Sequence, residues 1–249
     1  MTSELQIDGL RKRIGEVAVL GGITTTLLAG QITAFIGPNG AGKTTLFHAI
    51  AGELQPDAGR LLYQGRDITG WPPWRLARLG IGRLDQDVRV FANLSARQNV
   101  IAALQRTADR RLLRSLWLGS SRLRAAQGPA EALLDRVGLE GDRDAPAGQL
   151  SWGNQKLLAF ARLLAGRFRF VLLDEPAAGV SPALRERLGL LIRELSASGV
   201  TIALIEHDLG MVRELADAVV LLQEGRVLAH GPAAAVLNQP ATLELCLGL

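Results

Sequence analysis

The chain has one cysteine, only three lysines among its basic residues, and no apolar run long enough to cross a membrane. Because Cys246 has no partner, an internal disulfide and a thiolate zinc site are both excluded, and we expect it to pack as a small hydrophobic side chain. A membrane-spanning helix needs about 20 apolar residues, and the most apolar stretches, such as residues 170–173, are much shorter. The N-terminus lacks the basic and apolar regions of a secretory signal, so we expect a cytosolic protein.

The charge balance is mildly basic, with 28 lysines and arginines against 24 acids, and the hydrophobic content of 48% predicts one sizeable core. Much of the positive charge is concentrated in one stretch, where only Asp109 opposes it. The arginines of this cluster are Arg106, Arg110, Arg111, Arg114, Arg122 and Arg124. Such a cluster is typical of a solvated helix face. It is equally typical of a surface that contacts nucleic acid, acidic headgroups or an acidic partner helix.

A glycine-rich segment follows a short apolar run and matches the G-x-x-x-x-G-K-[ST] pattern of a nucleoside-triphosphate phosphate cradle. Its residues, with the first residue of the following helix, are Gly37, Pro38, Asn39, Gly40, Ala41, Gly42, Lys43, Thr44 and Thr45. Glycines let backbone N–H groups surround the β-phosphate, Lys43 places a charge between the β- and γ-phosphates, and Thr44 offers its hydroxyl to Mg²⁺. A helix beginning here points its positive dipole end at the phosphates.

A second apolar strand, at residues 170–173, ends in two adjacent acids, Asp174 and Glu175. Successive side chains of a strand point in opposite directions, so the two carboxylates need different roles. We expect Asp174 to hold Mg²⁺ through water beside Thr44, and Glu175 to orient and deprotonate the attacking water.

The order of apolar patterns predicts an α/β protein whose core is interrupted. Strands and helices alternate in the first part, and a helical pattern covers residues 95–137, with a loop near Gly119 and a break at Gly128 and Pro129. Strand and helix alternation returns after residue 170. This arrangement indicates a helical lobe inserted into an α/β core.

Between cradle and acidic strand, Leu150-Ser151-Trp152-Gly153-Asn154 resembles the LSGGQ signature of ATP-binding-cassette (ABC) ATPases. The resemblance implies a single ABC ATPase domain, with a RecA-like P-loop core and antiparallel β subdomain at residues 1–85 and 167–249. It implies an inserted α-helical subdomain at residues 86–166, which carries the signature. It also implies a head-to-tail dimer, in which Ser151 and Gly153 present a hydroxyl and a helix N-terminus to the γ-phosphate held by the second subunit.

The same resemblance assigns two further residues. Gln86 matches the glutamine loop, which touches metal and water, and His207 matches the switch histidine on the γ-phosphate. The resemblance places Ile14 where the family usually stacks an aromatic ring on adenine. Trp152 and Asn154 also depart from the signature. Because none of these departures removes the cradle lysine, the metal-binding acid, the general base or the switch histidine, we expect active hydrolysis with altered dimer contacts.

The final segments, including residues 174–179 and 246–249, resemble the ATPase subunits of branched-chain amino acid and urea importers. That resemblance implies ATP and Mg²⁺ as cofactors, and a homodimer or a heterodimer with a paralogous ATPase. It implies membrane permease partners, indirect coupling to an extracytoplasmic solute-binding protein, and a peripheral position on the cytoplasmic face of the inner membrane. Two alternatives remain: the ATPase of a lipid or lipopolysaccharide exporter, and a soluble ABC ATPase acting on nucleic acid. The single compact cassette argues against the second, so we expect no nucleic-acid partner.

Overall fold

The computed structural model describes residues 3–105 and 119–247, which form two compact units. The first unit comprises Met1–Arg83, Arg169–Pro176 and Gly189–Leu249, and the second comprises Leu84–Phe168 and Ala177–Leu188. Within the arginine cluster, Arg106, Arg110, Arg111 and Arg114 lie outside the described residues, so both interpretations of that cluster stay predictions. No helix within the described ranges is long and apolar enough to span a bilayer.

The strands form the sheets of the first unit, and the last residue of β6, Leu84, belongs to the second. In chain order they are β1 (Ser3–Ile14), β2 (Val17–Leu28), β3 (Ile32–Ile36), β4 (Ala58–Tyr63), β5 (Arg66–Asp67), β6 (Ile81–Leu84), β7 (Phe170–Asp174), β8 (Thr201–Ile205), β9 (Ala218–Gln223) and β10 (Arg226–Pro232). The helices are α1 (Lys43–Ile50), α2 (Pro73–Leu79), α3 (Ala96–Gln105), α4 (Gly119–Val137), α5 (Trp152–Ala165), α6 (Pro182–Ala197), α7 (Leu209–Leu215), α8 (Ala233–Leu237) and α9 (Pro240–Leu247).

The strands form two sheets. The smaller one has the order β2-β1-β4-β5 and antiparallel pairing. The larger one has the order β10-β9-β3-β8-β7-β6, in which β3, β7, β8 and β9 pair in parallel and β10 returns antiparallel to β9. Both the antiparallel subdomain and the P-loop core expected from the sequence are therefore confirmed.

The larger sheet is covered on both faces, which explains why its central strands β3, β7 and β8 are buried at every position and mostly apolar. Along β3, Phe35 points into one core cluster and contacts Phe47 of α1 edge-on, with ring centres 5.6 Å apart. Ala34 and Ile36 point to the opposite face, where α7, α8 and the partly buried Cys246 pack. This double coverage fixes the carboxyl edge of the sheet, where β3, β7 and β8 end.

In the second unit, α3, α4 and α5 pack against one another around fully buried side chains such as Val100, Leu134 and Leu158. The predicted break at Pro129 is wrong, because α4 continues through this residue to Val137. Proline removes one backbone hydrogen bond, but Pro129 lies on the exposed face, where water can satisfy the freed carbonyl group.

Candidate nucleotide-binding site

The glycine-rich loop leaves β3 at Ile36 and enters α1 at Lys43. Gly37 lies against the neighbouring strand β9, with a φ of 141°. A Cβ atom built there would lie 2.0 Å from the carbonyl oxygen of Leu222. Only glycine allows the chain to pass this close to β9, so the first glycine of the pattern is required by the packing of the sheet.

Lys43, the basic residue of the loop, is buried, with 6% of its surface exposed. Its Nζ donates hydrogen bonds to the carbonyl oxygens of Gly37, at 2.7 Å, and Pro38, at 2.9 Å. Burial lowers the pKa of Lys43 below its usual value, and the nearby carboxylate of Glu175 opposes that shift. The loop therefore holds its ammonium group in place by its own acceptors.

Glu175 and His207 follow the carboxyl ends of the parallel neighbours β7 and β8, which explains why residues so far apart in sequence meet. His207 Nε2 donates to Glu175 Oε1 across 2.7 Å. The backbone N–H of Glu175 donates to the carbonyl of Ile205 at 3.0 Å, and its φ of 46° is rare for a residue other than glycine. Such local strain is found often at functional sites, where the surrounding structure enforces it.

One cavity unites most of the predicted nucleotide-site residues of the first unit. It is lined by Val19, Asn39, Gly40, Ala41, Gly42, Lys43, Thr44, Thr45, Glu175 and His207. The N-terminus of α1, a buried ammonium group and open space beside Gly40 suit a polyphosphate anion. Thr44 and Asp174 supply the hydroxyl and carboxylate oxygens that Mg²⁺ prefers, so the donor set fits the metal as well.

Asp174 is buried at the end of β7, and its Oδ2 lies 3.8 Å from Nη2 of Arg83 on β6. Arg83 also donates to Glu53 Oε2 at 2.8 Å. Neither Arg83 nor Val19, which lines the cavity, is predicted as a site residue from the sequence. No local pattern links these residues to the phosphate loop, and only the order of the strands brings them together.

Ile14 lies where β1 turns into β2, paired with Val17, and it does not line the cavity. The two side chains are 55% and 65% exposed, so the turn presents an apolar surface to solvent. An exposed apolar pair can contact a flat base, but it lacks the π-face that an aromatic ring would supply.

Gln86, Ser151 and Gly153 belong to the second unit. Gln86 is exposed in the segment after β6. Ser151 caps α5, its Oγ accepting a hydrogen bond from the backbone N–H of Asn154 at 3.1 Å, which leaves the hydroxyl hydrogen available to donate. A Cβ on Gly153 would lie 2.6 Å from Leu184 Cδ2, so this glycine permits close packing against α6.

The two departures from the signature have different surroundings. Asn154 is held in its own unit, where its Nδ2 donates to Asp142 Oδ2 at 2.7 Å. Trp152 keeps 46% of its surface exposed beside the capping serine, and the Lys156 ammonium lies 5.8 Å from its ring centre. The tryptophan is thus only half covered by its own unit and presents an indole surface at the start of α5.

Comparison with known proteins agrees with this geometry. The ABC transporter family model matches residues 20–178. The chain is 34% identical over 248 residues to the high-affinity branched-chain amino acid transport ATP-binding protein BraF of Pseudomonas aeruginosa, covering 98% of this chain and 97% of BraF. It is 33% identical to the lipopolysaccharide export system ATP-binding protein LptB of Acidithiobacillus ferridurans, covering 100% of this chain and 98% of LptB.

The fold is similar to that of a solved ATP-binding cassette. The ADP conformation of MJ1267, an ATP-binding cassette of an ABC transporter, superimposes with a TM-score of 0.85 at 30% identity and covers 100% of both chains. Family match, full-length relatives and fold therefore agree with the phosphate cradle and the acidic strand end. The chain belongs to the ABC transporter family and is one of its ATPase cassettes.

Proposed function

We propose that this chain is the ATP-hydrolysing subunit of an ABC importer for branched-chain or other neutral amino acids, or urea-like amides. The observation that carries the proposal is the cavity in which the phosphate loop meets the Glu175–His207 pair. This cavity brings charge-neutralising, metal-binding and proton-accepting groups together within the first unit. Full-length similarity to BraF supports the importer assignment.

In this proposal the side chains of the cavity, together with Asp174 at the end of β7, have separate roles in hydrolysis. Lys43 and the N-terminus of α1 bind the β- and γ-phosphates, and Thr44 and Asp174 hold Mg²⁺. When bound, Mg²⁺ neutralises charge on the phosphate oxygens. Glu175 accepts the proton of the water that attacks the γ-phosphorus as the bond to the ADP oxygen breaks.

His207 has two functions in this scheme, because its Nε2 already donates to the carboxylate of Glu175. That hydrogen bond holds the carboxylate in one orientation, and the same ring can turn to the γ-phosphate once nucleotide is present. The switch role of His207, the part of Gln86 in metal and water contact, and the contact of Ile14 with adenine are elements of the proposal.

Closure requires a second cassette, supplied by a copy of this chain or by a paralogous ATPase. Ser151 supports this arrangement, since its hydroxyl hydrogen is free to donate and lies at the N-terminus of the 14-residue helix α5. We further propose that residues 86–166 act as the helical lobe that transmits closure, and that residues 1–85 and 167–249 form the nucleotide-binding core.

The cassette would act at the cytoplasmic face of the membrane, bound to permease subunits that receive cargo from an extracytoplasmic binding protein. The cargo itself need not contact this chain, so its chemical class rests on similarity to BraF alone. The alternative function, energising lipopolysaccharide export, is favoured by the equally long match to LptB. Every residue of the cavity would serve both functions.

Transport by the reconstituted complex distinguishes the two. The chain is co-expressed with its permease subunits, and the complex is placed in proteoliposomes containing ATP at the cytoplasmic face. We expect ATP-dependent movement of labelled leucine or urea in the presence of the cognate binding protein, and none in the complex carrying Glu175→Gln. ATP-dependent release of lipopolysaccharide to an acceptor protein, without leucine or urea movement, would instead establish the exporter.

A further inference from the structure

A surface of the first unit outside the nucleotide cavity combines tryptophan and arginine side chains around α2. We name it the α2 patch and define it as Arg66, Trp71, Trp74, Arg75 and Arg78. None of these residues lines the nucleotide cavity, and none is used in the proposed hydrolysis. The three arginines and Trp74 are exposed, whereas Trp71 packs its inner side against the main core.

The patch is ordered partly by the helix. Trp74 and Arg78 lie four residues apart on one face of α2, so Arg78 covers the tryptophan one turn earlier. Trp71 precedes the helix, and Arg75 reaches back over it from the first turn of α2. Arg75 Cζ lies 3.4 Å from the ring centre of Trp71, and Arg78 Cζ lies 5.0 Å from that of Trp74. Arg66 approaches from β5, with its Cζ 4.6 Å from the ring centre of Trp71.

These contacts hold several positive charges together without an acid. Within residues 3–105 and 119–247, no carboxylate forms an ion pair with Arg66, Arg75 or Arg78, although other arginines of the unit, such as Arg193, have one. The nearest acid in sequence, Asp67, accepts the backbone N–H of Thr69 at 2.9 Å. Two guanidinium groups over one indole ring repel each other, and an external anion would relieve this repulsion.

Trp74 adds an apolar component to this charge, because 61% of its surface is exposed at the start of α2. A stacked guanidinium group covers the ring with its flat face and keeps its N–H edge free to bind phosphate or carboxylate. An indole ring prefers the headgroup level of a bilayer, where its apolar body and its N–H are both accommodated. The patch thus offers the two chemistries that a membrane surface with anionic headgroups would bind.

We propose that the α2 patch docks the cassette directly onto anionic phospholipid headgroups. A lipid surface fits better than an acidic protein segment, because the patch projects two arginines and one indole from a short helix and a third arginine from β5. A fluid layer of phosphates can reach all of them at once. This contact goes beyond the proposed transport function and needs no permease, so it can be measured on the isolated chain.

The test is flotation of the purified chain with vesicles of phosphatidylcholine alone and of phosphatidylcholine mixed with phosphatidylglycerol. We expect binding to the mixed vesicles only. A basic residue at a membrane surface contributes about 1 kcal/mol, so the variant Arg66→Gln, Arg75→Gln, Arg78→Gln should lower the partition coefficient about 10²-fold. Trp74→Ala should lower it further when added, and also lower it alone.

A control variant removes the same charge elsewhere on the unit: Arg193→Gln, Arg213→Gln, Arg226→Gln. It should keep binding within a few-fold of wild type, because these arginines lie on α6, α7 and β10, outside the patch. If control and patch variants lose binding equally, net charge explains the binding and the proposal fails.

Two other outcomes also decide the matter. If the arginine variant does not fold, as judged by circular dichroism, Trp74→Ala alone carries the test, and unchanged binding by that variant overturns the proposal. If wild type does not float with the mixed vesicles, the lipid assignment is wrong and the patch is left to an acidic protein partner. Neither result alters the expected leucine or urea transport, so failure here is distinct from failure of the proposed function.

Discussion

Replacing Gly37 by alanine tests whether the phosphate loop is shaped by its packing against β9. A new Cβ would lie 2.0 Å from the carbonyl oxygen of Leu222, well inside van der Waals contact, and the backbone would have to keep a φ of 141°. Backbone strain of this kind costs about 1–3 kcal/mol. Overpacking of a well-packed strand costs about 1–3 kcal/mol more. The free energy of unfolding should therefore fall by about 2–6 kcal/mol.

Gly40→Ala is the matched control, because it changes the same loop with the same added methyl group. Gly40 has a φ of 80°, and a Cβ there would meet no atom within 4 Å. Only the left-handed conformation then costs free energy, about 1–2 kcal/mol.

Urea unfolding followed by circular dichroism measures both variants against wild type. A typical domain is stable by only about 5–15 kcal/mol, so the Gly37 variant should lose a large share of its stability and the Gly40 variant a small one. Equal shifts of the two midpoints would refute the argument, since the strand contact would then contribute nothing.

Four further changes test the site and the second unit. Glu175→Gln should lower ATP hydrolysis by about 10²–10⁴-fold with nucleotide binding retained, because only the proton acceptor is lost. Wild-type turnover by this variant would exclude Glu175 as the base. Lys43→Ala should instead weaken binding of a fluorescent ATP analogue. Ile14→Tyr should tighten ATP binding by about 0.5–1.5 kcal/mol in a competition titration if adenine lies on that turn; unchanged affinity, together with a strong wild-type preference for ATP over GTP, would place the base contact elsewhere. Asn154→Ala removes a hydrogen bond to the carboxylate of Asp142, so the free energy of unfolding should fall by about 1.5–3 kcal/mol in urea, and an unchanged midpoint would show that water replaces the amide.

The sequence alone determined the family and the local chemistry of the chain. The phosphate cradle could be predicted because its parts are contiguous: a strand, a run of glycines and a helix beginning at Lys43. Asp174 and Glu175 could be predicted for the same reason, since an apolar strand followed by acids is a local pattern. Where the sequence pattern was ambiguous, the prediction was less accurate. The break expected at Pro129 is absent from α4, because an exposed proline can lie within a helix.

Only the tertiary structure decided which distant residues surround the loop. The contact of Arg83 with Asp174 joins β6 to β7, and the close approach of Gly37 to Leu222 joins the end of β3 to β9. The hydrogen bond from His207 to Glu175 joins the ends of β8 and β7. The physical reason is that the residues of a strand indicate whether the strand is buried, but not which strand pairs with it. Strand order is set by the packing of the whole sheet against its helices, and that order determines which side chains meet at the carboxyl edge.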